Sequence, residues 1–119
     1  MFSRILVVLA VAAAGALAQV TCQTSGGSPT VIDAVAMAND MNGNSGVACQ
    51  NLAPSGGCTT IWTQGSASAN LCGTNEDCIA FTRASQAVIA IVGQCANGNG
   101  LAGGTNQVTN ELRVDLFHS

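Results

Sequence analysis

Six cysteines, a single histidine and a handful of carboxylates carry most of the chemistry available to this chain of 119 residues. The cysteines are Cys22, Cys49, Cys58, Cys72, Cys78 and Cys95. No two of them stand as Cys-x-x-Cys, and the histidine, His118, lies at the far C-terminus. A zinc site needs clustered thiolate and imidazole donors, so this spacing argues against a metal. An even cysteine count behind an export signal reads instead as three disulfides. The shortest separations favour Cys49–Cys58 and Cys72–Cys78, which leaves Cys22–Cys95 to tie the N-terminal strand to the end of a helix.

Hydrolytic chemistry requires a nucleophile, a base and a group that orients the base. His118 is the only imidazole base, and Asp115 lies three residues before it. In a strand, residues three apart point to opposite faces, so the pair cannot act together. Asp33 and Asp40 share one face of a predicted helix, where a solvated surface is expected. Gly98, Gly100 and Gly103 satisfy a formal G-x-G-x-x-G pattern. A dinucleotide fingerprint has its strand before the glycines and its helix after them. Here that order is reversed, and the glycines read as a helix cap and a tight turn. No enzymatic activity and no cofactor are expected.

The compartment follows from the N-terminus. Arg4 supplies a positive start, residues 5–14 an apolar run, and Ala16-Leu17-Ala18 a small-x-small cleavage site. Residues 1–18 therefore read as a secretory signal peptide, and residues 19–119 as one domain. The apolar run is short for a membrane span. Setting Arg4 aside leaves Arg83 and Arg113 against six acids, a side-chain net charge of −4, with no lysine. So few cations cannot neutralise a row of phosphates, which excludes nucleic acid and disfavours anionic lipid. A secreted, extracellular monomer with no membrane span is expected.

The elements around these residues can be read from pattern. Residues 20–24 form a short strand. Ser28-Pro29 opens a helix, with serine as N-cap and proline in the first turn. Its stripe is Val31, Ala34, Val35, Ala38 and Met41, and Gly43 ends it. Residues 42–57 form a polar, glycine-rich connection. Residues 58–64 form a β-branched strand, Gly65-Ser66 a type II′ hairpin turn, and residues 67–72 the returning strand. Residues 76–95 form a second helix capped by Asn75, with Glu76 and Asp77 at its positive end. Its stripe runs through Cys78, Phe81, Ser85, Val88, Val92 and Cys95, widened by Ile89 and Ile91. A start near residues 82–85, with 79–82 extended, is the alternative. After a glycine-rich loop at 96–106, Leu112, Val114 and Leu116 alternate with Glu111, Arg113 and Asp115 in a closing strand. The predicted fold is α+β, a split β-α-β arrangement. It has a four-stranded antiparallel sheet, two helices on one face and three disulfides.

This order and several stretches resemble the fungal secreted necrosis-inducing effectors of the "extracellular protein two" type, which are related in fold to the killer toxins of smut-fungus viruses. The matching parts are Ser28-Pro29, Gly57-Cys58-Thr59-Thr60-Ile61, Leu71-Cys72-Gly73, Cys78 with Cys95, Leu101-Ala102-Gly103-Gly104, and Leu112-Arg113-Val114-Asp115-Leu116-Phe117-His118-Ser119. The chain has little aromatic content, with Trp62 alone in the strand at 58–64. The resemblance implies a fungal origin, an extracellular setting and a non-enzymatic role against host plants or competing microbes. It brings no shared catalytic motif.

The expected function is that of a secreted cysteine-rich effector or toxin-like protein that binds a host or microbial surface target. The alternatives are an antimicrobial, killer-toxin-like protein and a surface-active or wall-associated structural protein. The candidate interaction surface is Trp62, Glu111, Arg113 and Asp115.

Overall fold

The computed structural model describes residues 19–51, 57–74 and 76–119. The signal-peptide reading of 1–18 and the capping role given to Asn75 lie outside those residues. Nine elements follow in order: β1 (Val20–Cys22), α1 (Val31–Asn42), β2 (Val47–Cys49), β3 (Cys58–Gln64), β4 (Ala67–Gly73), β5 (Cys78–Ala80), α2 (Phe81–Cys95), β6 (Gly104–Gln107) and β7 (Leu112–His118). The main sheet has five strands, ordered β1-β6-β7-β4-β3, and every pairing in it is antiparallel. A separate antiparallel ladder joins β2 to β5.

The α+β class, the two helices, the antiparallel pairing and the three disulfides stand as read from sequence. The four-strand count does not. The fifth strand is β6, inside the stretch read as a glycine-rich loop. Its residues, Gly104 to Gln107, include a single β-branched one, Thr105, too little to signal a strand. Gly104 and Thr105 are extended because β1 and β7 flank them and satisfy their backbone groups on both sides. Gly104 is required there, since a Cβ would run into the Thr21 carbonyl of β1.

Helix α1 begins two residues later than Ser28-Pro29 suggested. Thr30 is the N-cap, and its Oγ1 accepts from the Asp33 amide at 3.1 Å. Pro29 and Thr30 are held extended, because Ala102 donates to the Pro29 carbonyl and Val31 donates to the Gly100 carbonyl. Ser28 caps a turn instead, its Oγ accepting from the Ser25 amide. Gly43 does close the helix.

Helix α2 begins at Phe81, not Glu76, one residue before the alternative start near 82–85, and the extended residues are 78–80 rather than 79–82. Residues 78–80 are taken by pairing with β2, and this pairing overrides the local helix signal. The Gln50 amide donates to the Asp77 carbonyl and the Phe81 amide to the Gly46 carbonyl, closing the ladder at both ends. Glu76 and Asp77 therefore do not sit at the helix start. The buried stripe is Ala84, Ser85, Ala87, Val88, Ile91 and Cys95. Cys78 and Ile89 are exposed rather than part of it.

The core lies between the helices and one sheet face. Ala67, Ala69 and Leu71 of β4 and Leu112, Val114 and Leu116 of β7 meet Ala34, Met37, Ala38 and Met41 of α1 and Val88 and Ile91 of α2. Both helices therefore lie on the same face. Both helices bury alanines, Ala34 and Ala38 on α1 and Ala84 and Ala87 on α2, and the two helices are in contact. There the Ser85 hydroxyl, buried, donates to the Ala38 carbonyl at 2.7 Å. Asn106 is buried in the same layer, with its amide nitrogen directed at the Ala87 carbonyl at 3.4 Å.

The disulfides are Cys22–Cys95, Cys49–Cys78 and Cys58–Cys72. The first agrees with the pairing drawn from spacing. The other two replace Cys49–Cys58 and Cys72–Cys78, because each joins directly opposed residues of an antiparallel pair. Register across the sheet, not nearness along the chain, selects the partner.

Candidate functional site

The closing strand β7 presents two different faces, as its alternation requires. Leu112, Val114 and Leu116 are buried against the helices, while Arg113, Asp115 and Phe117 point the other way. Strand register extends this second face across the whole main sheet. One row runs Thr21, Thr105, Asp115, Asn70, Thr60 over the strands β1, β6, β7, β4 and β3. A second row runs Gln107, Arg113, Cys72, Cys58. Phe117, Ser68 and Thr63 make a third. Neither helix packs on this face.

Arg113 and Asp115 form its charged centre. Arg113 Nε lies 2.7 Å from Asp115 Oδ1, and Nη2 lies 3.3 Å from Oδ2, a two-point pairing of guanidinium and carboxylate. These hydrogen bonds hold Arg113 more firmly protonated than usual. Around them the hydroxyls and amides bond to each other. Thr60 Oγ1 donates to Asn70 Oδ1 at 2.7 Å, and the hydroxyls of Thr63 and Ser68 lie 3.1 Å apart. The result is a face of fixed polar groups with one half-exposed ion pair at its middle.

Cys58, Cys72 and Asp115 bring three potential ligand atoms together. The two sulfurs are bonded to each other, so neither is a thiolate. The approach of Cys72 Sγ to Asp115 Oδ2, 3.4 Å, is packing against the carboxylate, since a disulfide sulfur carries no proton. That set offers no metal chemistry in the oxidised protein.

The four candidate surface residues separate. Arg113 and Asp115 share the polar sheet face. Glu111 is exposed just before β7, where Thr74 Oγ1 lies 3.5 Å from its carboxylate. Trp62 lies on the opposite face of the sheet. A bulge between Thr60 and Trp62 sets Trp62 against Ala69, one residue out of simple alternation. Its indole packs edge-on to Phe81, with centroids 5.3 Å apart, and joins the margin of the core. Simple alternation along 58–64 carries no sign of that bulge.

His118 is exposed, its Nδ1 within 2.8 Å of the Ser119 carbonyl, and it pairs across the sheet with Ala67. Asp33 has a role beyond a solvated face. The amide and hydroxyl of Ser66 both donate to Asp33 Oδ2, at 2.8 and 2.7 Å. Ser66 Oγ in turn accepts from the Thr30 amide, and Ser119 donates to the Ser66 and Gly65 carbonyls. One carboxylate thus ties the start of α1 to the β3–β4 hairpin tip, and the chain end closes on the same turn. Gly65 takes a positive φ of 56° and Ser66 after it does not, which makes this the type II′ turn expected. A Cβ on Gly65 would also strike the Asp33 carboxylate.

The bonds from Ser66, hydroxyl first and amide second, hold the Asp33 carboxyl below the usual carboxylate range. A depressed folded-state pKa stabilises the protein above the unfolded value, near 3.9 for aspartate. That stabilisation is lost as pH falls through the folded value. Asp33→Asn is therefore expected to flatten the decline in thermal midpoint below about pH 4. It should also lower the midpoint at neutral pH, where the charge-assisted bonds are complete. Thermal unfolding of both proteins across the acid range checks this; parallel curves would refute the clamp.

No family model, no curated protein and no solved structure matches the chain. No helix among the described residues is long and apolar enough to cross a membrane. The class that the fold itself defines is a small three-disulfide α+β domain with one helix-covered sheet face and one polar face.

Proposed function

We propose that this is a secreted, cysteine-rich effector of fungal origin, acting outside the producing cell by binding a target on a host plant. The polar face of the five-stranded sheet carries this reading. It spans all five strands, neither helix packs on it, and Arg113 and Asp115 hold a fixed charged pair at its centre. Three disulfides in so small a domain suit an oxidising compartment. The resemblance described above and the signal-like residues 1–18 support the same setting. Binding is favoured over catalysis because His118 and Asp115 stand on different rows and form no acid–base set.

The experiment is infiltration of oxidised, folded protein into leaf tissue, with growth assays on fungi and bacteria alongside. Reduced and alkylated protein is the control. Cell death or altered defence in the leaf, lost on reduction, is expected. The double substitution Arg113→Ala with Asp115→Ala should abolish that response, while stability falls by no more than about 1 kcal/mol because the pair is partly exposed. Growth arrest of microbes without a leaf response would redirect the activity to competitors. Silence in both assays would refute the effector reading.

A further inference from the structure

We infer that Gln19 is a modification site: once exposed as the mature N-terminus, it cyclises to pyroglutamate. The inference rests on the secretion reading, in which cleavage after Ala18 leaves Gln19 with a free α-amine. An N-terminal amine titrates near neutrality, with a pKa of about 7.7–8.0, so a useful fraction is uncharged and nucleophilic. That nitrogen attacks Cδ of its own side-chain amide. A bond forms between the α-nitrogen and Cδ, the bond from Cδ to Nε2 breaks, and ammonia leaves. No oxidant or co-reactant is needed.

The local structure permits the ring. Gln19 is exposed, and its side-chain amide has no hydrogen-bond partner among the described residues that would hold it away from the amine. Its backbone carbonyl accepts from the Gln107 amide at 3.4 Å, and the carbonyl is not consumed by the reaction. Strand β1 starts one residue later. The pairings Val20 with Asn106, Thr21 with Thr105 and Cys22 with Gly104 can therefore stay as they are.

The consequence is protection of a weak point. Residues 19–21 lie outside the Cys22–Cys95 bridge, and Val20 and Thr21 belong to an edge strand only three residues long. An exopeptidase that frayed this stub would remove the pairing that shelters β6. The lactam withdraws the free amine that such an enzyme requires. It also removes a positive charge from a chain whose two remaining arginines are engaged, Arg83 with the Val108 carbonyl and Arg113 with Asp115.

The full chain would be secreted from a eukaryotic host, and the medium treated at harvest with an amine-reactive methylating reagent. This traps any uncyclised N-terminus before digestion. Mass spectrometry should find the N-terminal peptide beginning at residue 19, unlabelled and lighter than the glutamine form by one ammonia. A Gln19→Ala variant should be labelled at the same position, and under a broad aminopeptidase it should lose residues that the wild type keeps. A labelled, uncyclised Gln19 would overturn the inference and leave secretion standing. A chain beginning elsewhere would overturn the cleavage position on which it rests.

Discussion

Replacing Cys22 and Cys95 together by alanine is expected to lower the stability of the domain by about 4 kcal/mol. The two are 73 residues apart, so the bridge closes most of the domain into one loop. In the chain-entropy view its main effect is on the unfolded state, where it removes the largest share of conformational freedom. The folded state depends on it as well. The bridge fastens β1, the edge strand, to the last turn of α2, and Thr24 Oγ1 adds a bond to the Cys95 carbonyl at 2.6 Å. The Gly103 amide donates back to the same hydroxyl. A domain of this size is stable by only about 5–15 kcal/mol, so the loss would bring the midpoint down by roughly 15–30 °C. Guanidinium unfolding of the variant and of the matching Cys58/Cys72 variant checks the assignment. The Cys58–Cys72 loop spans 14 residues, and about 3 kcal/mol is expected for it. A smaller loss for Cys22/Cys95 than for Cys58/Cys72 would refute the ordering by loop length.

Leu71→Ala should cost about 3–4 kcal/mol, placing it with the largest single-residue effects in the core. Leu71 is fully buried on β4, and it faces Thr59 of β3 and Val114 of β7 across the sheet. Much of the surrounding core is alanine: Ala34, Ala38, Ala67, Ala69, Ala84 and Ala87 are all buried. Small side chains fixed to strands and helices cannot swing into the space a lost leucine leaves. The cavity is therefore expected to persist, which is the costly case. Leu71→Met keeps the volume and should cost less than about 1.5 kcal/mol. Denaturant midpoints of the two variants test this. Equal losses would show that shape rather than volume decides, and a loss under 1 kcal/mol for Leu71→Ala, the low end for removing buried methyl groups, would show that the helices close the gap.

What could be read along the chain was whatever local periodicity or turn chemistry controls. The strand at 58–64, the glycine-first hairpin turn and the inward set Leu112, Val114 and Leu116 all follow from side-chain alternation and backbone preference. They stand as read. The stripe of α1 did so for Ala34, Ala38 and Met41, because apolar spacing of three and four reports a buried face, but it missed the fully buried Met37, and Val31 and Val35 are only half-buried. Cys22–Cys95 fell out once the other cysteines were paired among themselves, even though those two pairings were exchanged.

Tertiary structure decided the features that depend on a partner distant in sequence. Residues 78–80 are extended only because β2 lies beside them, and β2 itself lay within a stretch that looked like loop. Strand β6 exists because two neighbours accept and donate along it. The bulge that carries Trp62 away from Arg113 and Asp115 is a matter of register between β3 and β4. Asp33 meets Ser66 across 33 residues, a separation that no helical or strand period encodes. The sequence by itself determined the class of elements, the polar and apolar faces of β7 and the oxidised state expected of the cysteines. Folding determined which strands pair, which sulfurs join and which polar residues share a face. Those outcomes depend on hydrogen bonds and contacts between segments, and their free energy is not written in either segment alone.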